Sequence, residues 1–201
     1  MDRFPKSARL ATVFARHVLT LEASRKAVSL EPDYVPAQIA LATAQLAAGD
    51  SEAAAATLAP IRDLNRAVGA HLLLSRALLA NGDTQGAIEA ARREALTDVL
   101  HPLEPGEGVR GDYKYQAEEL IGMAHLTAGR YARAAGHLLA AAAEGSDSAR
   151  STLAGNPNLR QALGELVNVG RLPHLNRHWR VSCLEMRSLP ETATGTRAAM
   201  R

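Results

Sequence analysis

Two histidines four residues apart, His174 and His178 in the segment HLNRH, come nearest in this chain to a spacing that suits metal chemistry. On a helix, imidazoles at i and i+4 share one face and can ligate a single ion. Pro173 immediately precedes them and no carboxylate completes a ligand set, so no metal site is expected. His71, His125 and His137 fall on different expected helices, and each reads as a packed or surface histidine. Cys183 is the single cysteine, which excludes an internal disulfide framework and a cysteine-rich zinc site. It also lies outside any helical context that would mark it as a nucleophile. The chain holds no phosphate-cradling glycine loop, nucleophile elbow, HExxH or dinucleotide fingerprint. No catalytic residue, metal or cofactor is therefore expected.

The remaining question is what kind of scaffold these residues belong to. The chain has 201 residues, 47% hydrophobic and 22% charged but only 3% aromatic. Much of its apolar share is alanine. Ala and Leu are strong helix formers, and the residues that strands prefer are scarce, so the expected class is all-α. The N-terminus MDRFPKSARLATVF lacks the apolar run of a secretory signal, and no stretch approaches the length of an apolar membrane span. A soluble, cytoplasmic protein is the expectation. Formal net charge is +2, unevenly spread: residues 171–201 carry six Arg against Glu185 and Glu191.

Alanine recurs at fixed places. LATAQLAAGDSEAAAATL, starting at Leu41, lines up with LSRALLANGDTQGAIEAA from Leu74 and IGMAHLTAGRYARAAGHL from Ile121. After that first large residue come the small residues Ala42, Ser75 and Gly122, then Ala44, Ala77 and Ala124, then Leu46, Leu79 and Leu126. Gly49, Gly82 and Gly129 follow, and five residues later Ala54, Ala87 and Ala134. The pattern predicts two antiparallel helices joined by a tight turn. The glycine takes the left-handed cap conformation at no Cβ cost, and Asp50 or Ser51, and Asp83 or Thr84, cap the second helix. Arg130 stands at the corresponding place in the third copy and weakens that cap. The small residues sit where two helix axes approach closely.

These features resemble the tetratricopeptide repeat family. The resemblance rests on the large-then-small pair, the turn glycine, the alanine after it, and KAVSLEPDY at 26–34 with Ala27 and Pro32. Gln45, Leu78 and His125 stand where the family prefers an aromatic, so the repeats are read as degenerate and bacterial-type. The resemblance covers about residues 20–144. It implies antiparallel hairpins stacked as a right-handed superhelical array.

Helices are expected near 5–18, 20–31, 35–48, 51–64, 67–81, 84–99, 113–128, 131–144, 147–153 and 157–170. The last, NPNLRQALGELVNVGRL, reads as a capping helix with Leu159, Leu163, Leu166 and Val167 on one face, covering the end of the array. The repeat domain then spans 1–170, with an insertion loop at about 100–113, and 171–201 is a basic tail. Two prolines and three glycines in HPLEPGEGVRGDYKY at 101–115 oppose helix there, and Asp112 reads as the cap of the next helix.

Stacked in this way, the first helices of successive hairpins line an inner surface. Ile39, Thr43 and Leu46, then Leu72, Arg76 and Leu79, then Glu119, Met123 and Leu126 are expected to point there. Family members that clamp a carboxylate tail use Lys and Asn at such positions, so this mode is not implied here. The mostly apolar set suggests an apolar or amphipathic segment of a protein or peptide as partner. The alternative of a groove filled by the 101–115 loop, the tail or a second copy stays open. The resulting expectation is a non-enzymatic scaffold or adaptor. A second reading is an accessory subunit whose tail, through Arg177, Trp179 and Arg180, contacts nucleic acid or an acidic protein surface. Six Arg over 31 residues is modest for nucleic-acid affinity, so this ranks second.

Overall fold

The computed structural model describes residues 7–8, 11–12, 20–61, 69–100 and 112–168. Among them regular structure is entirely helical: α1 (Leu21–Leu30), α2 (Val35–Ala47), α3 (Ser51–Leu58), α4 (Ala70–Ala80), α5 (Thr84–Leu100), α6 (Asp112–Thr127), α7 (Tyr131–Ala143), α8 (Asp147–Gly155) and α9 (Pro157–Asn168). Of the helix expected over 5–18, residues 7, 8, 11 and 12 are described, and of these 8, 11 and 12 are helical. The tail beyond 168 and most of the insertion, 101–111, lie outside the described residues.

One turn is built three times from the same atoms. Gly49, Gly82 and Gly129 have φ of 82°, 83° and 70°. In each copy the glycine N–H donates to the leucine carbonyl three residues back, Leu46, Leu79 or Leu126. The next N–H reaches five residues back, to Gln45, Leu78 or His125, which completes a two-bond helix stop. The sequence left two choices for each following cap, and the aspartates take it. Asp50 Oδ1 accepts from Ala53 N–H at 3.1 Å, and Asp83 Oδ1 from Gly86 N–H at 2.8 Å. Arg130 provides no side-chain cap to α7, as its chemistry requires. Ser51, freed from capping, donates to Asn81 Oδ1, while Asn81 Nδ2 donates back to the Ser51 carbonyl at 3.2 Å. The turn ends of the first two hairpins are thereby tied together.

The alanines mark close approach, as expected. Ala42, Ala54, Ala87 and Ala134 are fully buried, and buried Ser75 donates to the Ala87 carbonyl at 2.8 Å. At the third copy the approach leaves no room for a side chain on Gly122. A Cβ on Gly122 would lie 2.7 Å from Leu138 Cγ and 3.1 Å from the Leu138 backbone nitrogen. Gly136, on α7, has nothing within 4 Å of such a Cβ. Gly136→Ala is therefore expected to raise unfolding free energy by about 0.5–1 kcal/mol, because it removes backbone freedom from the unfolded chain without a clash. Urea denaturation followed by circular dichroism measures this.

The core is a row of separate slabs. One, holding Ala42, Ala54, Leu58, Ala70 and Ala77, joins α2, α3 and α4. The next, with Leu72, Ile88, Ala91, Ala117 and Ile121, joins α4, α5 and α6. The largest gathers Leu138, Leu139, Leu153, Leu159 and Leu163 from α7, α8 and α9. Substantial packing joins only helices one or two places apart, as a stacked array requires.

Two boundaries differ from expectation. Helix α3 stops at Leu58 and not near 64, because Pro60 has no N–H to continue the ladder. Helix α4 begins at Ala70 and not near 67, since Gly69 takes a left-handed φ of 83°. The α4 N-terminus is held by a residue that the sequence reading passed over. Glu94 of α5, 1% exposed, accepts from Gly69 N–H at 2.7 Å and His71 N–H at 3.0 Å. Asp112 opens α6 as its first residue, one place inside the cap position expected for it.

Candidate partner-binding face

The first helices of the three hairpins, α2, α4 and α6, pack side by side, α2 on α4 and α4 on α6. They form one surface. A polar bridge spans the second junction: the exposed Arg76 guanidinium of α4 donates to Gln116 Oε1 of α6 at 3.2 Å. The sequence named Arg76 for this face but not its partner Gln116.

Other residues named for this face divide by depth. Ile39, Thr43 and Leu46 are half-buried on α2. Ile39 and Leu46 lean on the slab between α2 and α4, and the Thr43 hydroxyl donates to its own helix at the Ile39 carbonyl, 2.8 Å away. Leu79 is half-buried against the α4–α6 slab. Leu72 is a correction. It is 2% exposed and packed among Ile88, Ala91, Ala117 and Ile121, so no partner can reach it. Met123 and Leu126 are half-buried against the α7–α9 slab. Glu119 Oε2 accepts from the Ser146 hydroxyl at 2.6 Å, and Ser146 Oγ in turn accepts from Ala149 N–H at the start of α8. Its carboxylate is thereby part of a junction between hairpins.

The expected apolar groove is therefore not a bare one. Among the described residues the large hydrophobic side chain classed as exposed is Tyr131, at 38%. Leucines spaced along the inner face are drawn into packing between hairpins, which leaves a mixed surface with Thr43, Arg76 and Gln116 as its polar points. Arg177, Trp179, Arg180, Cys183 and the His174/His178 pair lie outside the described residues.

Two of the histidines meet. His125 of α6 and His137 of α7, read separately from the sequence, stack with ring centroids 5.4 Å apart and planes at 27°. His137 Nδ1 lies 2.8 Å from Glu118 Oε2. The hairpin register could have revealed the pair, because the same two places hold Gln45 and Thr57 in the first hairpin, where the Thr57 hydroxyl donates to Gln45 Oε1 at 2.9 Å. Leu78 and Ala90 occupy them in the second. His71 is buried on α4, and burial, reinforced by Arg93, holds its pKa below the ordinary histidine value. No group of three or more His, Cys, Asp or Glu among the described residues is arranged to hold a metal ion.

The described helices include none long and apolar enough to cross a membrane. With two hairpins of shared turn chemistry and side-by-side first helices in view, comparison with known families is decisive for one part of the chain. Residues 39–102 match the tetratricopeptide repeat. No curated protein matches the chain. The matched tetratricopeptide segment runs from within α2 past the end of α5, which are the two hairpins at the 33-residue spacing between Gly49 and Gly82. The third hairpin, outside the match, repeats the same glycine turn. An all-α tetratricopeptide-type fold of this kind is consistent with a protein-interaction module.

Proposed function

We propose that this protein is a non-enzymatic adaptor that holds a segment of a protein partner along the surface formed by α2, α4 and α6. The observation that carries this reading is the continuity of that surface, with α2 against α4 and α4 against α6. The exposed cation Arg76 lies at its centre. Half-buried Ile39, Leu46, Leu79, Met123 and Leu126 offer shallow apolar contacts beside Thr43, Arg76 and Gln116. An amphipathic segment matches that mixture better than a wholly apolar one, since its polar side can satisfy the guanidinium and amide. The missing aromatics at Gln45, Leu78 and His125 support reading the repeats as degenerate and bacterial-type.

Affinity capture with the full chain tests the face. Arg76→Glu and Thr43→Glu change exposed or half-buried positions on the inner side, while Glu89→Arg changes an exposed position on α5. The two inner variants are expected to reduce recovery of specifically bound partner about tenfold, a change of ~1.4 kcal/mol. Glu89→Arg should leave it unchanged. Equal recovery by all three variants, each showing wild-type helicity, would remove the face from consideration.

A further inference from the structure

We propose that the stacked His125–His137 pair is an acid-sensitive latch, which opens the third hairpin and the C-terminal end of the array while the first hairpin, which has no histidine, stays closed. The geometry disfavours a second proton on His125. Its side chain is 3% exposed, and Nδ1 is buried without a hydrogen-bond partner. The charges around it are cationic on each side that bears on it: Arg92 from α5, Arg130 from the α6–α7 turn, and Arg133 and His137 from α7. The one acid of the cluster, Glu118 on the same helix as His125, is turned to His137 Nδ1. Helix α4, the third element packed on α6, brings Arg76 to Gln116, roughly 13 Å along the helix from His125.

Burial, then Arg130, His137, Arg133 and Arg92, lowers the His125 pKa from 6.5 to about 4. Between those two values the opened hairpin accepts a proton that the closed one refuses. Closure therefore weakens as pH falls through that window, and the loss levels off below it. The first hairpin has the uncharged Gln45–Thr57 bond at these places and no histidine, so it carries no such linkage, whereas the second has Leu78 and Ala90 there but a proton linkage of its own through buried His71 on α4. Opening α6 from α7 also undoes the seat of the last two helices, because α8 and α9 both pack on α7.

Hydrogen exchange on the full chain at pH 7.5 and pH 5, corrected for the pH dependence of intrinsic amide exchange, reads each hairpin separately. Protection of 115–143 and 147–163 is expected to fall about 30-fold more than that of 35–58, the hairpin without a histidine. His125→Leu, which installs the residue of the second hairpin, should abolish the difference. If that variant fails to fold at pH 7.5, His125→Gln, the residue of the first hairpin, replaces it with the same expected result. Equal loss in the first and third hairpins, no loss at pH 5, or an undiminished difference in the variant would each overturn the latch.

Discussion

Glu94→Ala is expected to lower the unfolding free energy by about 3 kcal/mol, a large effect for a residue far from the turns that define the repeats. Glu94 is 1% exposed, and its two oxygens accept from the backbone N–H groups of Gly69 and His71. These donors lie at the N-terminus of α4, where the backbone has no intrahelical acceptors for them. Alanine would strand both in a dry site, and an unmet buried donor costs about 1–3 kcal/mol. The negative charge adds a favourable interaction with the helix end, since the peptide dipoles leave partial positive charge there. Glu94→Gln keeps the volume but turns an amide toward one of the two N–H groups, so an intermediate loss of about 1–2 kcal/mol is expected. Urea denaturation of the three proteins orders them. A loss below about 0.5 kcal/mol for Glu94→Ala would mean that other groups take over the cap.

Gly122→Ala is the second large expectation, a loss of about 2–3 kcal/mol, opposite in sign to Gly136→Ala some 14 residues later. An added Cβ would meet Leu138 Cγ at 2.7 Å, and that side chain is fully buried and cannot swing aside freely. The Leu138 backbone nitrogen at 3.1 Å closes the other escape, so α6 and α7 must move apart. The corresponding sites hold Ala42 and Ser75, so the first two hairpins admit a Cβ at a place where the third does not. Leu138→Ala removes the clashing side-chain carbons, so Gly122→Ala should cost less in that background, with a coupling of about 1 kcal/mol. Independent, additive losses would show that the contact does not set the helix separation.

What the sequence disclosed and what it hid follow from the range of the interactions involved. The turns were legible because Gly49, Gly82 and Gly129, and the aspartate caps that follow the first two, act within five residues. The close-contact alanines were legible because the copies repeat them at one spacing. The early end of α3 was also written in the chain, in Pro60, but the expected helix ran through it. Leu72 was misplaced for a different reason. Spacing identifies which face of a helix turns inward, while depth depends on how far the neighbouring hairpin covers it, and α5 and α6 cover Leu72 completely. Glu94 and His71 are brought together across 23 residues, and no local pattern announces a carboxylate that caps another helix. The His125–His137 stack lay within reach, because the repeat register places both beside the Gln45–Thr57 pair of the first hairpin.

The reciprocal tie between Ser51 and Asn81 restricts how the first two hairpins can move against one another. Sliding one hairpin along the other would break both of its hydrogen bonds together, since each is made by the same two residues. Rotation about the line joining those residues stretches neither. At an exposed site the tie adds little free energy, yet a change of angle between the hairpins should strain it less than shear does. A partner that needs a wider or narrower seat between α2 and α4 would then be met by a change of angle, with the turn edge acting as the pivot.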